Sequence, residues 1–253
     1  MRRQSQRQGG SDEPRFDVAE MRRPRFSRGF ALGALALLGS WLFCACGTPK
    51  VGMNEGPREY VSTDYEAVLR DWTRDAELIV MSELDNVLNV TATYESWDFR
   101  WAYVVRYSSD YRLTIDQRKL LLERSLSESR EYHQFYTALF AEKHKWADLT
   151  AENAAWIVRL IDDQGNETAP SEIIVIKRPG AIERTYFPYT TPWRSAFRLR
   201  FPTRKADGSP TISKKANWFG LRFAGAQGHQ ELTWEVDRGD GSAGQPVSVA
   251  GAQ

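Results

Sequence analysis

Residue types able to do covalent or metal chemistry are sparse in this chain. Both cysteines fall in one stretch, "WLFCACG" at 41–47, two positions apart. Cys44-x-Cys46 makes a poor metal clip, because a closed site needs three or four ligands. His133, His144 and His229, the three histidines, all lie far along the chain. A disulfide across one intervening residue is strained by the Cα separation such a bond requires. The histidines form no His-x-x-x-His or Cys–His pair, and neither a Gly-x-Ser-x-Gly elbow nor a Ser-x-x-Lys occurs. These spacings identify no catalytic residue, no metal site and no cofactor site.

Three further motifs have simple readings. Gly239-x-Gly241-x-x-Gly244 has the form of a dinucleotide fingerprint, but no helix follows to hold a pyrophosphate at its N-terminus. The overlapping Arg238-Gly239-Asp240 resembles an integrin-binding tripeptide and sits in a Gly-rich tail. "DDQGNE" at 162–167 gathers Asp162, Asp163 and Glu167 around a glycine. It lacks the alternating oxygens and distant Glu of a helix–loop–helix calcium loop and reads as a hairpin turn, with weak surface calcium binding as the alternative.

The stretch with most to offer a ligand is "RTYFPYTTPWRSAFRLRF" at 184–201. Tyr186, Phe187, Tyr189 and Trp193, stiffened by two prolines, precede a strand that places Arg194, Arg198 and Arg200 on one face by parity. Aromatic platforms beside guanidiniums suit a carbohydrate or anionic glycan. The same residues have a purely structural reading, in which the rings close a core and the arginines form a solvated strand face that blunts an edge.

The N-terminus carries an address. Residues 1–20 are polar, without apolar periodicity, and read as an extension or as lying upstream of a true start at Met21. Met21 opens the basic run "MRRPRFSR", and the fifteen uncharged residues "GFALGALALLGSWLF" (29–43) follow. Basic region, apolar run and small residues are the layout of a signal peptide over 21–45. The run is short of the ~20 residues of a spanning helix, and an uncleaved anchor is the alternative. Arg22-Arg23 also raises a twin-arginine export signal, but Arg25 stands where a bulky residue is usual.

Phe43-Cys44-Ala45-Cys46 resembles the lipobox of bacterial lipoproteins, roughly Leu-(Ala/Ser)-(Gly/Ala)-Cys. Aligned on Cys46 the preceding small residue fits, whereas alignment on Cys44 puts Phe43 where a small residue is needed. The resemblance covers the first 46 or so residues. It implies that Cys46 becomes the lipid-bearing first residue of the mature chain, with palmitate among its acyl groups. It also implies a cell-envelope location, and Gly47 rather than Asp after the cysteine implies the outer membrane, facing the periplasm.

Charge agrees with an exported domain. Eight of the 34 Lys and Arg but only four of the 33 acids lie in 1–45, leaving 26 bases against 29 acids beyond. The mature part therefore lacks the concentrated positive field that nucleic-acid binding needs. With 42% hydrophobic and 12% aromatic residues it has ample material for a core.

The elements that must position these residues follow from periodicity. Residues 46–59 read as a tether and 60–237 as a single β-rich domain, with 238–253 a flexible tail. Thr63-x-x-Glu66 has capping-box form, and Tyr65, Val68, Leu69 and Trp72 make one helical face. Strands are expected at 88–94, 132–141, 154–162, 171–177, 195–201, 217–223 and 231–236. Helices are expected at 98–111 and, capped by Thr114-x-x-Gln117, through about Ser129. The fold expected is mainly β, an antiparallel sandwich of seven or eight strands with a short N-terminal helix and a helical insertion at about 98–129. The function expected is a lipid-anchored envelope module that binds a protein or glycan without catalysis. An envelope hydrolase assembled from scattered acids and histidines is the alternative.

Overall fold

A computed structural model describes residues 48–80 and 85–238. Cys46, the signal region and the glycine motif at 239–244 lie outside the described residues. Among the described residues nine strands form two antiparallel sheets, and four helices accompany them. The strands are β1 (Thr73–Val80), β2 (Asp85–Tyr94), β3 (Tyr132–Phe140), β4 (Ile157–Asp162), β5 (Glu167–Thr168), β6 (Glu172–Ile176), β7 (Ser195–Pro202), β8 (Trp218–Gly225) and β9 (Gly228–Glu235). The helices are α1 (Tyr65–Trp72), α2 (Trp97–Asp110), α3 (Ile115–Glu131) and α4 (Ala181–Tyr186). The five-stranded sheet has the order β1-β2-β3-β7-β6, and the four-stranded sheet β5-β4-β8-β9.

Seven of these strands match expected ones, and β1 and the two-residue β5 add to them. In "TRDAELIV", Arg74, Asp75 and Glu77 interrupt the apolar alternation that marks a strand. β1 is nonetheless paired with β2 on one side, while Arg74 Nε donates to the Thr233 carbonyl on β9 at 3.0 Å on the other. Alternation in the remaining strands delivers the core. Phe197, Leu199 and Phe201 of β7 meet Leu221 and Phe223 of β8 and Leu232 and Trp234 of β9, all buried. Phe135 lies 5.4 Å from Trp234 between ring centroids, and Phe219 stacks on Trp234 at 5.6 Å with planes 10° apart.

The helices cap themselves in three different ways. Ser96 Oγ accepts from the Phe99 amide at 3.1 Å, starting α2. Thr114 and Gln117 form the expected reciprocal box at the start of α3, with bonds of 3.3 and 3.0 Å. At α1 the Thr63/Glu66 box does not form. Asp64 accepts from the Val61 amide at 2.8 Å across a 3-10 turn (Ser62–Asp64), and Glu66 instead pairs with Arg106 of α2 at 2.7 Å. Between α2 and α3 the chain turns through Arg112 at φ 51°, a left-handed conformation rarely taken by a side chain of this size.

β3 is a central strand with a continuous buried run from Gln134 to Leu139, so both of its faces are covered. One face joins the inter-sheet core. Against the other, Tyr136 stacks on Phe187 at 3.8 Å with planes 5° apart, and Phe187 lies 5.8 Å from Phe99 of α2. The helical insertion is therefore a third layer on the outer face of the five-stranded sheet. The segment expected to be a free tether is partly held: Val51 is buried and bridges Val236, with its amide donating to the Glu235 carbonyl at 2.8 Å.

Candidate functional site

Between α2, α3 and the outer face of the five-stranded sheet lies a cleft of about 340 Å³. Its floor comes from even-numbered residues, Gln134 of β3 with Arg200 opposite it on β7 and Arg198 beside them. Glu95, just past the end of β2, and Arg100 on the first turns of α2 close one end. Leu121, Arg124, Ser125 and Glu128 of α3 form the far wall, and the rings of Phe99, Tyr103 and Phe187 form the apolar one.

At the base is a buried polar network. The Glu95 carboxylate accepts from Gln134 Nε2 at 2.6 Å and from Arg198 Nε at 3.2 Å, and the Arg100 guanidinium stands 3.7 Å away. Arg200 Nε donates to Gln134 Oε1 at 2.8 Å and its Nη1 pairs with exposed Glu172 at 3.1 Å. Burial by itself would raise the Glu95 carboxyl. The Arg198 and Arg100 guanidiniums and the Gln134 amide outweigh it and hold the group below the usual carboxylate range. Arg198 is pushed up in return, chiefly by Glu95. Glu95 is thus a fixed anion whose hydrogen bonds already serve its charged form, which makes it a weak proton acceptor and a poor proton donor.

Arg100 is only 4% exposed, yet its Nη2 has no hydrogen-bond partner among the described residues. Its Nε donates to the Glu95 carbonyl at 2.9 Å and its Nη1 to the Ser125 carbonyl at 2.9 Å, so it ties α2 to α3. Arg198 makes one hydrogen bond to another side chain, through Nε, and Arg124 makes a single long contact with Glu128 at 3.9 Å. Guanidinium N–H groups therefore outnumber their acceptors around this space.

The residues expected to share a ligand surface are divided by the fold. Arg198 and Arg200 face the cleft. Tyr186 is buried at the end of α4, where its hydroxyl donates to Asp110 at 2.9 Å and its carbonyl accepts from Tyr65. Tyr189 shares a hydrogen bond of 2.7 Å with Thr93 and donates to the Tyr136 carbonyl. Arg194 is bound to Thr91 and Asn89 of β2. Trp193 stands 82% exposed. The aromatic stretch is therefore mainly packing, and its first residues, through Tyr186, belong to the helix α4. Glu95, Arg100 and Gln134 were not singled out by sequence reasoning. The available signal was a charged residue inside the apolar helical run "FRWAYVV", and an even-numbered polar residue on a strand whose odd face is core.

The remaining candidates are otherwise engaged. Asp162 accepts from the amides of Gln164, Asn166 and Ser213 at 2.8–3.0 Å, and Asp163 from the Asn217 amide and side chain. These carboxylates face N–H donors, which suits the hairpin reading and opposes a calcium one. No cluster of His, Cys, Asp and Glu able to hold a metal occurs among the described residues. His133 lines a second cleft of about 290 Å³, where its Nδ1 shares a hydrogen bond of 2.8 Å with the Tyr94 hydroxyl. Burial lowers its pKa to about 4. Glu55, on the same cleft, is paired with Arg130 at 3.1 Å.

Comparison with protein-family models, with curated proteins and with solved structures found no match.

Proposed function

We propose that this protein is a lipid-anchored module of the bacterial cell envelope, held by acyl chains on Cys46, that binds a partner or small ligand without catalysis. The observation that carries the binding half is the cleft under α2 and α3. It combines an apolar aromatic wall with a set of guanidinium groups, Arg198 and Arg200 held in place by Glu95 and Gln134, the composition of a recognition site. The non-catalytic half draws support from how its acids and bases are used. General acid–base work needs groups poised near the working pH, whereas Glu95 is committed to cations and His133 to a tyrosine. The envelope hydrolase is the lesser reading for the same reason. The anchoring half draws on the lipobox-like Phe43–Cys46 stretch and places the domain on the periplasmic side of the outer membrane.

The anchor is tested by metabolic labelling with radioactive palmitate. The full chain takes up label and sediments with membranes, and Cys46→Ser does neither. Label retained by Cys46→Ser overturns the anchor. Binding is tested with a photo-crosslinking amino acid at Leu121, in the wall of the cleft. A discrete ultraviolet-dependent adduct in intact envelopes is expected there and not with the same group at exposed Leu120. No adduct at Leu121 counts against the cleft as a binding site.

A further inference from the structure

Resting on the cleft as a binding site, we propose that its ligand is a compact oxyanion, a carboxylate or phosphate carried on a single ring or a body of similar size. The anionic group is received by the guanidiniums of Arg198, Arg200 and Arg124, and the body lies against Phe99, Tyr103 and Phe187.

Charge around the cleft sets the sign of the ligand. Arg100, Arg124, Arg198 and Arg200 line it, against Glu95 and Glu128. Even with Glu172, bound to Arg200 from beyond the lining, cations outnumber anions. Glu95, paired with Arg198 at 3.2 Å and Arg100 at 3.7 Å, cancels one of these positive charges and leaves the rest uncompensated. Glu128 reaches Arg100 at 3.6 Å and Arg124 at 3.9 Å, both longer than a hydrogen bond.

Hydrogen bonding points the same way. Among the described residues Arg198 commits only its Nε, to Glu95, which leaves its two terminal nitrogens to receive an oxyanion. A carboxylate or phosphate matches the guanidinium edge that Arg198 still presents, while Arg200, bound to Gln134 and Glu172 through Nε and Nη1, adds its remaining nitrogen. Neutral sugars supply no such match. The space is at the small end of ligand sites, about one ring in size. Tyr103 and Phe99 lie 6.1 Å apart, a wall for the flat face of that ring.

The test is calorimetric titration of the full detergent-solubilised chain with three probes, galacturonic acid, glucose 6-phosphate and uncharged galactose. The expected result is that at least one acid binds ~10-fold or more tighter than galactose and weakens as sodium chloride rises. The two acids separate a carboxylate preference from a phosphate one. Arg198→Gln is expected to weaken the acid by ~10-fold or more, the loss of a charge-assisted contact. Because Arg198 also supports Glu95, Arg124→Gln is the second variant: its side chain is 80% exposed, so the fold survives and only a several-fold weakening is expected. Equal binding of galactose and both acids, or acid binding indifferent to Arg198→Gln and Arg124→Gln, overturns the oxyanion while leaving the cleft a binding site. No binding of any probe while the Leu121 crosslink still forms overturns the small anion and leaves the binding role. Loss of both removes both.

Discussion

At the scale of single residues, two titrating groups sit in opposite kinds of surroundings. Glu95 is ionised because cations surround it, and it is buried, so that loss of the half-buried Arg198 strands its charge. His133 is neutral because burial disfavours its charged form, which puts its pKa near 4 instead of the ordinary 6.5. A base whose pKa is lowered by folding contributes stability in full above about pH 6.5 and loses it as pH falls toward 4. Urea unfolding at pH 7 and pH 4.5 is therefore expected to differ by about 2 kcal/mol from this residue. His133→Gln, which stays neutral and retains an acceptor for Tyr94, is expected to remove that part of the difference. An unchanged difference in the variant would assign the acid loss to other groups.

At the scale of elements, the two walls of the cleft are built to different standards. The sheet wall is anchored on both faces, with Phe135, Tyr136 and Leu139 of β3 all fully buried. α3 buries no residue, and leaves Ile115 86% and Leu120 70% exposed. It is held by its capping box, by Arg100 reaching Ser125, and by Glu55 pairing with Arg130. Segments with few buried apolar contacts open at lower free energy than the core. Native-state hydrogen exchange is expected to show amides in the middle of α3 at least ~100-fold less protected than those of β3. Equal protection would show that the cleft wall is as rigid as its floor. Such a wall suits a site that adjusts to its ligand after first contact.

At the scale of the whole domain, the inter-sheet core and the helix-side aromatic layer share β3, so neither layer is independent of the other. Phe135 joins the two sheets, in ring contact with Tyr94 at 4.9 Å, Phe201 at 5.8 Å and Trp234 at 5.4 Å, while its neighbour Tyr136 carries the helix-side layer. Phe135→Ala is expected to cost about 3–5 kcal/mol, the loss of a fully buried ring plus the cavity it leaves. The unfolding should remain one transition by far-ultraviolet circular dichroism and by tryptophan fluorescence. Separate transitions would mean that the two sheets, or the sheet and the helices, unfold independently.

Local order was legible in the residues themselves. Alternation in Phe197, Leu199 and Phe201 or in Trp156, Val158 and Leu160 marks strands with one buried face, and the Thr114–Gln117 box marks a helix start. These signals arise from neighbours along the chain, where spacing is set by the backbone. β1 escaped because its packing against β9 compensates for charges that break the local pattern. The Thr63–Glu66 box was misread because Glu66 finds a stronger partner in Arg106, forty residues on.

The lipobox-like stretch around Cys46 is likewise a matter of sequence, since it rests on residue types and their order alone. The cleft belongs to the fold alone. Parity put Arg198 and Arg200 on one face of a strand, but only the third layer supplies the opposite wall that turns that face into an enclosed space. Glu95, Arg100, Gln134 and Arg198 come from two strands, a helix and the turn between strand and helix, and long-range pairing brings them together. The burial of Glu95 and Arg100, and the cluster of cations that holds Glu95 ionised against it, exist only once α2 and α3 have closed over the sheet.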